Sequence, residues 1–196
     1  MLELGPASED QIVLAFVQAE IESPRWRPHY LTSLKMRGLD RGLVIDAADL
    51  TDAQANQNRK LILSDVRGYG RGQALFERFP RDTTWRRVLV ELFDYNGLKC
   101  ISKDGDWAKL TDGSRLIRDA VSNLNAVPRV RDDVQATVDK IKQGRQLAEL
   151  ILVEDNRDGL VIVEGHTRAT AYAFLSHRPF TAFVGTSPAM TQWRHI

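Results

Sequence analysis

The residues best placed to do chemistry stand together in Leu160-Val-Ile-Val-Glu-Gly-His-Thr-Arg-Ala-Thr-Ala-Tyr172, where an apolar run stops at a glycine and a helix-like pattern begins at once. Gly165 lacks a Cβ and permits close approach. The amides of Gly165, His166 and Thr167 fall at a helix N-terminus, where peptide dipoles favour negative charge, and a phosphate suits that place. Thr167 adds a hydroxyl, His166 a titratable donor and Arg168 a forked guanidinium, so Gly165, His166, Thr167 and Arg168 form a candidate phosphate-binding set. Two roles are open to Glu164, at the strand end. It holds a magnesium ion or takes a proton from a hydroxyl nucleophile, or it accepts hydrogen bonds from the loop and pairs with Arg168. Glu164 and His166 are the candidate catalytic residues. An ordinary strand-to-helix turn also accommodates these residue types, with Thr167 as a cap and Arg168 as a surface charge.

The flanking pattern supplies the elements that must position this turn. Val134, Val138 and Ile141 recur at i, i+4 and i+7 and predict an amphipathic helix ending at Gly144. Leu150 to Val153 reads as a strand and Asn156-Arg-Asp-Gly159 as a hairpin turn. Leu160 to Val163 is apolar at every position, as in a strand covered on both faces. A helix from His166 to about Leu175 and, after His177-Arg-Pro, a strand from Phe180 to Val184 complete the unit.

Glu-Gly-His-Thr-Arg-Ala-x-Ala-Tyr after a hydrophobic strand resembles the phosphate-binding motif of the ParB/sulfiredoxin superfamily. It is closest to the Asp-Gly-His-His-Arg form of stand-alone ParB-like proteins and free serine kinases. The resemblance runs from about Ala126 to the end of the chain. It implies an α+β fold with a small mixed sheet and helices in the C-terminal part, ATP or ADP with Mg2+ as ligands, and phosphoryl transfer or hydrolysis. Departures from the relatives narrow this. Sulfiredoxins place a cysteine where His166 stands, and the only cysteine, Cys100, is far away in sequence. Chromosome-partitioning ParB proteins carry Gly-Glu-Arg-Arg and continue into a helix-turn-helix domain, for which a chain ending at Ile196 leaves no room. The serine kinases carry an acid ahead of the motif, thought to act as base. The corresponding Asn123-Leu-Asn-Ala-Val-Pro-Arg129 has none, leaving Asp132, Asp133, Glu149 or Glu164 to replace it.

Residues 1–120 read as a mainly helical domain or extension, and residues 121–196 as the ParB/sulfiredoxin-like nucleotide-binding domain. Ser8-Glu-Asp-Gln11 has the form of a capping box, opening a helix that should stop at Ser23-Pro24. Thr51-Asp-Ala-Gln54 has the same form and opens a helix reaching about Val66, with Leu61 and Ile62 facing inward. A helix is expected near Thr84 to Phe93, a short strand at Leu98 to Ile101, and a helix starting or interrupted within Asp106 to Arg115 and running on to Leu124. Trp26, Trp85 and Trp107 are expected in the core or its junctions. Trp193 either folds over the nucleotide site, frames an interface or frays with the terminus.

Between these elements lies Arg67-Gly-Tyr-Gly-Arg-Gly72, and from Arg67 to Arg87 six arginines face only Glu77 and Asp82. Arg67, Tyr69, Arg71, Arg86 and Arg87 therefore make a candidate nucleic-acid set, and a DNA-binding module or ParB-like nuclease is the alternative function. A solvated basic loop is the competing reading. A net charge of +1 gives no global pull towards nucleic acid. One cysteine, no signal-peptide pattern and no apolar run near membrane-spanning length lead to the expectation of a cytoplasmic protein without a membrane partner. His29, His177 and His195 lack partners at ligand spacing, so no structural zinc is expected.

Overall fold

Apolar residues at successive strand positions demand cover on both faces of a sheet, and that demand organises the chain. The computed structural model describes residues 1–45, 48–102, 105–155, 159–175 and 178–196. It is an α+β fold. Strands β1 (Leu2–Ala7), β2 (Thr84–Val90), β3 (Leu98–Lys99), β4 (Leu150–Glu154), β5 (Leu160–Glu164) and β6 (Phe180–Thr186) form one sheet in the order β1-β2-β6-β4-β5-β3. The β6–β4 and β5–β3 pairs are parallel and the other three antiparallel. The helices are α1 (Glu9–Ile21), α2 (Arg27–Met36), α3 (Gly42–Ile45), α4 (Ala53–Arg67), α5 (Gly105–Thr111), α6 (Ile117–Ser122), α7 (Pro128–Lys142) and α8 (His166–Phe174). No helix among the described residues is long and apolar enough to cross a membrane.

Side-chain alternation divides the interior into two cores. Leu150, Leu152, Leu160, Ile162, Ala182 and Val184 point to one face, where Trp107, Ile117, Val134, Val138 and Ala169 from α5 to α8 cover them. Ile151, Val153, Val161, Val163 and Phe183 point to the other, against Phe16, Ile21, Leu34 and Ile62 of α1, α2 and α4.

The C-terminal elements fall where the sequence pattern puts them. Helix α7 ends before Gly144, the two apolar strands pair as an antiparallel hairpin, and α8 follows Gly165 directly. Asn156 to Asp158 of the expected turn, and His177, lie outside the described residues. In the N-terminal part, Ser8 and Gln11 make the expected capping box, and α1 stops ahead of Ser23. Helix α4 begins one residue later than expected, because Asp52 rather than Thr51 caps it through the Ala55 amide; Ile62 and Leu63 face the core while Leu61 is only half-buried. Asp112 and Gly113, both at positive φ, separate α5 from α6 and account for the interrupted helix.

Two expectations need correction. Thr84 to Val90 is a strand, not a helix: Val88 and Val90 are buried two apart, and all seven residues pair with β6 from Thr84↔Thr186 to Val90↔Phe180. Its aromatic and β-branched residues suit a pleated surface. The first 120 residues, although mainly helical, also supply β1, β2 and β3 to the same sheet as β4 to β6. Finally, Trp193 neither frays nor covers a ligand site. It is buried, donates Nε1–H to the Leu75 carbonyl at 2.8 Å and packs edge-on to Phe79 at 5.4 Å.

Trp193→Ala removes a fully enclosed ring and its hydrogen bond. The expected loss is about 3–5 kcal/mol, measured by urea denaturation; a frayed terminus would lose almost nothing.

Candidate functional site

Glycine is obligatory where β5 turns into α8. Gly165 has φ +110°, and a Cβ there would lie 2.8 Å from Leu150 Cγ and 3.1 Å from Arg168 Nη2. Having no side chain, it caps nothing: the amides of Thr167 and Arg168 find no acceptor among the described residues, and the first intrahelical bond runs from Ala169 to the Gly165 carbonyl at 2.8 Å.

Arg168 leaves this turn backwards. Nη1 donates to the Ala148 carbonyl and, at 3.3 Å, to that of Glu149, while Nη2 donates to Glu164 Oε2. Of the two roles open to Glu164 and Arg168, the geometry shows the mutual pair. Burial pushes the Arg168 pKa down to about 10, so the guanidinium remains a cation at neutral pH. His166 faces a different neighbour. Its Nε2 accepts the Ile101 amide at 3.3 Å, which puts the proton of a neutral ring on Nδ1, and Trp107 lies 5.5 Å away.

A cavity of about 1350 Å³ opens over this turn. It lies where β5 and β3 end, so Glu164 to Arg168 and Ile101 are at its back. One wall is the end of α1 with residues 22–26; the other is the polar side of α7, from Arg129 through Thr137 to Lys140, and the segment 145–148. Arg25, Lys140 and Arg145 line it with no ion pair to any described residue. Buffered by Glu22 and Asp133, the lining still carries more cationic than anionic side chains.

Sequence reasoning missed Glu20, which also lines this cavity. It is only 2% exposed, accepts from Tyr30 Oη at 2.7 Å and lies 3.5 Å from Arg67 Nε. Burial raises its pKa, opposed by the Arg67 charge and the Tyr30 hydroxyl. A readable signal existed: Glu20 falls on the apolar stripe of α1, four residues after Phe16.

The candidate nucleic-acid residues are not gathered into one basic surface. Arg67 turns inward to Glu20 and Trp26. Tyr69 Oη donates to Glu9, Arg71 to Asp65 at 3.0 Å, Arg86 to Glu154, and Arg87 to Glu149 at 2.7 Å. Each has an acidic partner. Cys100 is buried in the core, one residue before Ile101, whose amide contacts His166. No family model, curated protein or solved structure matches the chain.

Arg168→Ala would leave a half-buried carboxylate and two carbonyls without their donor. In the absence of any ligand it is expected to lose about 3–5 kcal/mol of unfolding free energy, and Arg168→Lys less, because the charge survives without the fork. Unchanged stability in both variants would show that the pair does not secure the turn.

Proposed function

We propose that this protein binds ATP or ADP in the cleft above α8 and transfers or hydrolyses the terminal phosphoryl group. The observation that carries this reading is the open N-terminus of α8: a helix capped by a bare glycine, with the Thr167 and Arg168 amides unclaimed, facing a cleft rich in cations. Backbone donors and helix dipole together make such an end favourable for phosphate. Arg168 serves from behind, holding the turn, while the Thr167 hydroxyl and the cations of the walls add to the attraction. Glu164 adjoins the phosphate turn; with Oε2 committed to Arg168, a proton from an acceptor hydroxyl would pass to its other oxygen, Oε1. The motif resemblance to the ParB/sulfiredoxin superfamily supports the same reading.

Mg2+ belongs to the ligand rather than to a resident site. Among the described residues no group of three His, Cys, Asp or Glu side chains gathers to hold a metal. Mg2+ commonly keeps its waters and binds through substrate phosphates, so it would arrive with the nucleotide. A nucleic-acid partner lacks comparable support, because the acids facing Arg71, Arg86 and Arg87 cancel their charge locally.

Thermal unfolding with and without Mg2+ and nucleotide tests the proposal. At about a hundred times its dissociation constant, a ligand bound only by the folded state adds roughly 2.7 kcal/mol. Stabilisation by ATP or ADP is expected, and it should survive alanine at Arg71, Arg86 and Arg87. No shift with any nucleoside di- or triphosphate at millimolar concentration would reject nucleotide binding.

A further inference from the structure

Arg67 is the last residue of α4, and its side chain enters the cleft wall formed by the end of α1 and residues 22–26. Its guanidinium carbon sits 4.0 Å from the centre of the Trp26 ring, and Nε lies 3.5 Å from Glu20 Oε1. Stacking and charge hold it there. Yet Nε is shut off from solvent without a hydrogen bond, and none of the guanidinium nitrogens bonds to a described residue. A guanidinium has five N–H donors in a fixed fork and a high demand for acceptors. Arg168 commits its donors to Ala148, Glu149 and Glu164; in Arg67 Nε is sealed from solvent, and the two Nη groups, bonded to no described residue, are the donors left for a ligand. The carboxylate of Glu20 lies within the field of Arg67, Arg25 and Arg168. Arg25 extends the cationic wall, its guanidinium carbon 5.1 Å from the same Trp26 ring.

We infer that Arg67 is the guanidinium that grips the terminal phosphate of the nucleotide, presented to the cleft by Trp26 and Glu20. The inference rests on the nucleotide reading and adds to it the residue that distinguishes a triphosphate from a monophosphate. Arg67 approaches from the wall of α1 and α4, whereas the α8 amides approach from the back of the cleft. A phosphate between them is enclosed by donors from two sides. Glu20 has a positioning role: its charge fixes the guanidinium, and Tyr30 fixes Glu20. Among the described residues Glu20 is the acidic partner of this fork, and at 3.5 Å it makes no hydrogen bond with Nε.

The test compares Mg2+–ATP with AMP on the full chain by calorimetry. Wild-type protein is expected to bind ATP more tightly than AMP, and Arg67→Lys to shrink that preference at least tenfold with AMP affinity little changed. A purely structural Arg67 would weaken both ligands alike. Should Arg67→Lys fail to fold, Glu20→Gln with Arg67→Met removes both buried charges together and should show the same selective loss. Trp26 gives an independent readout. Emission should change on adding ATP to the wild type, and the change should be absent in Trp26→Phe and strongly reduced in Arg67→Lys. If wild-type protein binds ATP and the Arg67 variants retain the full ATP preference, the inference falls while nucleotide binding stands. If wild-type protein binds neither ligand, both fall.

Discussion

The Glu164–Arg168 pair, closed across Gly165, is the contact on which the rest of the cleft depends. It joins three pieces of chain: the end of β5, the first turn of α8 and residues 148–149 leading into β4. Taking a carboxylate and a guanidinium out of water is costly unless they meet, and the carbonyls of Ala148 and Glu149 satisfy what Glu164 leaves over. The Arg168 side chain, which its place in the motif assigns to a phosphate, is thereby committed to architecture. What it leaves at the cleft is backbone: the amides of Thr167 and Arg168, at the start of a helix that the pair secures.

The cleft itself follows from how the two helical layers meet the sheet. Odd and even residues of β4 and β5 feed different cores, so α1 packs on one face and α7 and α8 on the other. Beyond the last residues of β3 and β5 no strand among the described residues fills the space between them. There the polar side of α7 and the end of α1 face one another across the cavity. Glu20 shows what that arrangement demands. It occupies a core-facing position of α1 and is kept there by Tyr30 and Arg67, with burial raising its pKa against both.

Most of the C-terminal unit was legible because its signals are local. The 3.6-residue period of α7, the uninterrupted apolar run of β5 and the bare glycine before His166 each name their own structure. Strand β2 was not, since Thr84 to Val90 becomes a strand through partners at 2–7 and 180–186, and sheet pairing at that separation leaves only alternation behind. The site was half legible. Position along the chain identified Gly165 to Arg168, but not the direction in which Arg168 points, which is decided by carbonyls nearly twenty residues away in the chain. Arg67 was noticed for its charge and assigned to a surface. Its inward turn depends on Trp26 and Glu20, and nothing in its own neighbourhood of sequence announces them.

Amide hydrogen exchange at the start of α8 addresses the central claim most directly. If phosphate oxygens accept from the Thr167 and Arg168 amides, saturating Mg2+–ADP should slow exchange at these two sites well beyond any slowing in the core of α7. Exchange at Thr167 and Arg168 that is the same with and without bound nucleotide would contradict it, and would place the ligand elsewhere in the molecule.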